Sequence, residues 1–218
     1  MIKNFQSLSL QNAVSSIFNG DIQSVDFSEY EGKIDLLSGG PPCQPFSIGG
    51  KAQGFNDRRD MFPQAARALS EIKPQAFIFE NVRGLLRKNF SRYFNYIILQ
   101  LTYPEITRKQ SQNWEEHLSV LEKHHTSGTH TEGLKYNVVF RLVNAADYGV
   151  PQKRERVFIV GFRNDIQGNW SFPDATHSKE ALDYAKYGTG EYWEKHSLKK
   201  QSVKNYVPHL SFENQKKP

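Results

Sequence analysis

Two short apolar runs constrain this chain more than any other feature, because each stops at a polar tip and each is followed by a helical pattern. Ile34-Asp35-Leu36-Leu37 breaks off at Ser38-Gly39-Gly40-Pro41-Pro42, and Ala76-Phe77-Ile78-Phe79 ends at Glu80-Asn81. Runs of this length, bounded by turn residues, read as buried strands. Between them Phe62, Ala65, Ala66, Leu69 and Ile72 fall on one helical face, which Pro74 terminates. After the second run, Phe90, Tyr93, Phe94, Ile97, Ile98 and Leu101 mark another amphipathic helix. Strand, polar tip, helix is the rhythm of a parallel α/β sheet, which binds its ligands at the carboxyl ends of its strands. Leu10, Ala13, Val14, Ile17 and Phe18 predict an earlier helix that Asn19-Gly20 stops.

Residues 136–143 and 157–162 are two more β-type runs, and the stretch joining them is too short for a crossover helix. They are expected to form an antiparallel pair at a sheet edge. Residues 47–60 read as a surface loop, and residues 109–133 as a polar insertion with no clear period beyond Trp114, Leu118 and Leu121. His117, His124, His125 and His130 raise the question of a metal, but no cysteine lies near them and a polar insertion accounts for them better. No metal is expected. Beyond residue 164 the chain is polar with interleaved aromatics, so we divide it at 163: a main part over 1–163, and a tail or further region over 164–218.

With 218 residues, one substantial core is expected rather than two domains. Hydrophobic residues at 38% and aromatics at 13% exclude a disordered chain. The single cysteine excludes an internal disulfide, and no apolar stretch is of signal-peptide or membrane-spanning kind. A cytoplasmic protein that engages no membrane is therefore the expectation. A formal charge of +5 leans only slightly toward a polyanionic partner.

The chemistry concentrates in three places. Pro41-Pro42-Cys43-Gln44-Pro45-Phe46-Ser47 puts a lone cysteine on a proline-stiffened loop after a strand end, a suitable setting for a nucleophile. A buried structural thiol is the usual alternative for an unpaired cysteine, and the prolines and loop position argue against it. Glu80, at the second strand tip, offers a carboxyl group, though such a residue is often only solvated. Gln152-Lys153-Arg154-Glu155-Arg156-Val157 alternates along a strand, so Arg154 and Arg156 should share a face. Taken alone, that hexamer reads as a charged edge strand that blocks further pairing. A cysteine hydrolase is disfavoured, since no histidine falls near a predicted strand end where it could activate Cys43.

Taken together and in this order, Pro41 to Ser47, Glu80-Asn81-Val82 and Gln152 to Val157, with Asn144 to Pro151 as lead-in, resemble the signatures of the cytosine-5 DNA methyltransferases. The likeness runs from about Asn19 to Arg163. It implies a Rossmann-like S-adenosylmethionine-dependent α/β fold and double-stranded DNA as partner, with the cytosine flipped out of the duplex for reaction. It also implies roles. The Cys43 thiolate adds to carbon 6 of the base, Glu80 stabilises the charge that builds, and Arg154 and Arg156 pin the base and support the pocket. Asn19-Gly20-Asp21-Ile22 resembles the family's adenine-binding block, which gives Asp21 and Ile22 to the cofactor together with Gly40 and Pro42. The family's mobile loop corresponds to the stretch holding Lys51, Arg58 and Arg59, which with Ser47 would reach DNA.

The family's Phe-x-Gly-x-Gly turn for the methionine end of the cofactor precedes the Asp21 block, yet only 18 residues stand before Asn19 and none is glycine. The expectation is an N-terminally truncated methyltransferase fold that holds only the start of a target-recognition region. Three readings follow: an enzyme completed by a complementing methyltransferase subunit, a truncated product without activity, and an inactive DNA- or partner-binding module. A place in a restriction-modification system follows from the family as a further expectation.

Overall fold

The structure, a computed structural model, describes residues 20–42, 60–127, 133–168 and 170–200. The expected helix over residues 10–18 and most of the 47–60 loop lie outside them. Among the described residues one four-stranded sheet runs β1-β2-β4-β3, with β1 Leu36–Gly39, β2 Ala76–Val82, β3 Tyr136–Asn144 and β4 Glu155–Arg163. β1 and β2 are parallel, while β4 is antiparallel to both β2 and β3. This is the α/β architecture expected, with a parallel pair at one side and one reversed strand inserted next to the far edge.

Helix α1, Phe62–Ile72, makes the crossover from β1 to β2 and matches the predicted span. It begins with Pro63 in its first turn and ends at Lys73 in the left-handed conformation, φ 53°, just before Pro74. Helix α2, Ser91–Thr102, follows β2 through two 3-10 turns, Arg83–Leu86 and Lys88–Phe90. Phe62, Leu69, Leu85, Ile97 and Leu101 bury their side chains in one cluster with Phe77, Phe79, Tyr136, Val157 and Ile159 of the sheet. That cluster is the core.

Four expectations change. The first strand begins at Leu36 rather than Ile34 and extends through Gly39, because its ladder opens where the Ala76 N–H donates to the Asp35 carbonyl at 2.9 Å. β2 continues through Glu80 to Val82, so Glu80 lies inside the strand rather than at its tip. Pairing with β1 stops at Phe79, but β4 carries the ladder on to Val82 opposite Arg156. The antiparallel pair does form, yet of its two strands β3 alone lies at an edge among the described residues, since β4 fits between β2 and β3.

The fourth change is α3, Trp114–Thr126, inside what reads as a polar insertion with no clear period. Asn113 and Glu116 close a capping box at its start, with the Asn113 side chain accepting from the Glu115 and Glu116 N–H groups at 2.9 Å each. Trp114, His117, Leu118 and Leu121 make its buried face. Past β4 the chain returns over the sheet, with Trp170 against Phe162 and Phe172 under the Arg141 guanidinium, and then forms the short helices α4 (Lys179–Asp183) and α5 (Glu191–Lys195). No helix among the described residues is long and apolar enough to cross a membrane.

Candidate active site

At the carboxyl ends of β1 and β2 two segments are tied together. Gly40-Pro41-Pro42 leaves β1 and passes the end of β2, where Asn81 Nδ2 donates to the Pro41 carbonyl at 2.9 Å. The Met61 N–H donates to the Pro42 carbonyl at 3.1 Å, which fixes the same segment to the head of α1. Gly40 runs close to Glu80: a Cβ on it would lie 3.6 Å from both the Glu80 carbonyl oxygen and Oε2. The entry to the cysteine loop is thus held beside the second strand. Cys43, Ser47, Lys51, Arg58 and Arg59 lie outside the described residues.

Strand alternation turns Glu80 and Asn81 to opposite faces. Asn81, opposite Val157, is buried on the helix-covered face, whereas Glu80 and its β4 neighbour Arg156 project from the other. Arg156 Nε donates to Glu80 Oε1 at 2.6 Å, and its Nη1 donates to the Glu155 carbonyl at 2.8 Å. Both side chains are only part-buried, at 38% exposure for Glu80 and 24% for Arg156, so the carboxylate is charge-paired yet still reachable. Glu155 points the other way and pairs with Arg83 at 2.6 Å.

The structure therefore brings together Glu80, Arg156 and the Gly40 to Pro42 segment. Arg154 stands just before β4, with its N–H donating to Asn144 Oδ1 at 3.2 Å and its carbonyl accepting from the Ala145 N–H at 2.9 Å. Asn144 also accepts from the Ala146 N–H at 3.4 Å and donates to Asp147 Oδ1 at 3.2 Å, which closes the β3–β4 loop at its base. That anchoring role was not foreseen, although an Asx residue at a strand end is the sequence signal for it.

Asp21 caps the 3-10 turn Ile22–Ser24, with Oδ1 accepting from the Gln23 N–H at 2.9 Å. Arg67 on α1 reaches across to donate to the Ile22 carbonyl at 2.8 Å and the Val25 carbonyl at 2.9 Å, which pins this turn to the sheet's first crossover. Ile22 remains 42% exposed. Of the histidines, His117 is buried with both ring nitrogens engaged: Nε2 donates to the Ile106 carbonyl at 2.9 Å and Nδ1 accepts from the Tyr96 hydroxyl at 3.0 Å.

At the strand ends of this mixed α/β sheet a carboxylate, an arginine and the Gly40-Pro41-Pro42 segment lie together. The match to the model of C-5 cytosine-specific DNA methylases covers residues 3–103 and 116–217, and the chain belongs to that family. It is 38% identical over 141 residues to the type II methyltransferase M.AplI of Arthrospira platensis, covering 65% of this chain and 31% of that protein. It is 35% identical over 169 residues to the type II methyltransferase M.NgoMIV of Neisseria gonorrhoeae, covering 78% and 44%. To the DNA (cytosine-5-)-methyltransferase M.ApeKI of Aeropyrum pernix it is 33% identical over 175 residues, covering 77% and 35%. The chain thus spans less than half the length of each of these relatives.

Proposed function

We propose that this chain is the catalytic core of a DNA (cytosine-5)-methyltransferase of the type II restriction-modification kind, acting on a cytosine flipped out of double-stranded DNA. The observation that carries the reading is the Glu80–Arg156 ion pair beside the Gly40 to Pro42 segment that leads directly into Cys43. The Cys43 thiolate adds to carbon 6 of the ring, which makes carbon 5 nucleophilic. Glu80 donates to or accepts from the ring's N3 edge as charge builds there, and Arg156 holds the Glu80 carboxyl in place while its remaining N–H groups face the base carbonyl. Arg154 supports the pocket wall. Ser47, Lys51, Arg58 and Arg59 contact the DNA backbone.

S-adenosylmethionine supplies the methyl group. The residues in place suit it: Asp21 uses Oδ1 for its cap and keeps a second carboxylate oxygen for an adenine amine, Ile22 offers an exposed apolar side chain beside it, and Gly40 and Pro42 form a wall with no side-chain bulk at Gly40. We place the catalytic domain at 1–163 and the start of target recognition at 164–218.

Duplex DNA carrying 5-fluorocytosine tests this, because fluorine cannot leave carbon 5 as a proton and the adduct persists. Incubated with S-adenosylmethionine, alone and with a relative's cofactor-binding half supplied in trans, the chain should give a denaturant-stable complex that Cys43→Ser abolishes. Glu80→Gln should slow trapping on the order of a hundredfold without preventing it. An adduct with Cys43→Ser would overturn the nucleophile assignment. No adduct in either arm would favour an inactive binding module.

A further inference from the structure

Away from the strand ends, the chain beyond β4 presses on the ten-residue loop between β3 and β4. Five contacts converge there. The Thr176 and His177 N–H groups both donate to the Asp147 carbonyl, each at 2.9 Å. The Tyr148 hydroxyl donates to the Pro173 carbonyl at 3.0 Å. Arg141 of β3 stacks on the Phe172 ring at 5.0 Å. The His177 ring covers Gly149 so closely that a Cβ there would sit 3.0 Å from Cε1, and Gly149 takes φ +87°, where only glycine is unstrained. This loop runs on to Arg154 and Arg156, whose partner is Glu80.

We propose that residues 172–177 act as a strap that positions the β3–β4 loop, with His177 as a positioning residue that sets Arg154 in the pocket wall; the catalytic half of this rests on the reading above. The loop's own ties are the Ala145–Tyr148 3-10 turn, the Asn144 cap, the bonds of Arg154 to Asn144 and Ala145, and the N–H bonds of Val150 to the Ala145 carbonyl and of Gln152 to the Val150 carbonyl. Its outer half is exposed, and the strap supplies what the loop lacks. Thr176 Oγ1 lies 2.8 Å from His177 Nδ1, at the edge of the ring that lies over Gly149. The ring acts by its shape and place, not by taking a proton from substrate. Without it, Gly149 and its neighbours would open locally, and Arg154 would lose a fixed approach to the pocket.

Hydrogen exchange on the full chain tests the strap directly. His177→Ala should raise exchange of the 144–154 peptide about tenfold while peptides from α1 and β2 keep their protection. In the 5-fluorocytosine assay the same variant should lower the trapping rate about tenfold, with duplex affinity within about twofold of the parent. His177→Phe, which keeps a flat ring over Gly149, should restore both. Unchanged loop exchange in His177→Ala overturns the strap. Lost loop protection with an undiminished trapping rate overturns the positioning role. A His177→Phe chain with native loop exchange but slow trapping overturns the claim that shape alone matters. If the parent chain traps no DNA, the functional reading fails, and the exchange comparison still decides the strap.

Discussion

The two faces of the sheet are built from the same strands and differ in almost every physical property. On one, Phe77, Phe79, Val157, Ile159 and Tyr136 are at most 3% exposed beneath α1, α2 and α3, and Phe77 stacks on Phe79 at 4.9 Å with Tyr136 edge-on at 5.3 Å. On the other, Leu36 is 52% and Val139 43% exposed, and cover comes from Trp170 and Phe172 over Phe162 and Arg141. Glu80 and Arg156 project from this second face. The contrast teaches where stability and chemistry separate. Consecutive residues on β2 have opposite tasks, Asn81 fastening the cysteine loop from inside and Glu80 presenting a carboxylate outside.

The two faces should differ most at Phe77. Phe77→Ala removes a fully buried ring from the centre of the aromatic cluster and should cost about 3–5 kcal/mol, read from the urea midpoint. Val139→Ala, on the other face, should cost under about 1 kcal/mol. Equal losses would mean that the second face is as tightly covered in solution as the first. A smaller effect sharpens the same contrast. Gly161 lies opposite Phe77, and a Cβ there would fall inside the van der Waals envelope of its ring. Gly161→Ala should therefore destabilise by about 1–3 kcal/mol through overpacking. A neutral result would show that the ring swings aside at no cost.

Much of this was legible in the sequence because it depends on local pattern. The α1 span, the two parallel strands and the pairing of residues 136–143 with 157–162 follow from period and punctuation. Strand order does not, because periodicity says nothing of which edge a strand joins; the slot of β4 between β2 and β3 shows only in its burial on both faces, Ile159 at 0% and Val160 at 3%. Helix α3 escaped because His117 breaks the apolar stripe of Trp114, Leu118 and Leu121, although Asn113 and Glu116 already spelled a capping box. At the site, the motifs name Cys43, Glu80, Arg154 and Arg156 from their order along the chain, whereas the direct Glu80–Arg156 contact at 2.6 Å depends on how β4 pairs with β2. His177 had no such signal, since its contact with Gly149 spans 28 positions and depends on where the tail folds back.

His117 supplies the last and smallest test, and the only one that pH controls. Burial disfavours its charged form and lowers its pKa below the ordinary 6.5, with the Arg108 charge acting the same way and the bond to the Ile106 carbonyl opposing both. Tyr96, whose hydroxyl donates to Nδ1, is pushed up to about 12 by burial, so it stays a neutral donor throughout. Between the lowered folded value and 6.5 the unfolded chain binds a proton that the folded chain refuses, so unfolding free energy rises with pH across that window. The contribution is complete above 6.5 and is lost as pH falls through the folded value. His117→Gln keeps an acceptor and a donor but cannot titrate, and should flatten the slope of stability between pH 7 and pH 5 while leaving the helix-covered face the more protected of the two in hydrogen exchange. An unchanged slope would assign the acid sensitivity to the carboxylates of the open face instead.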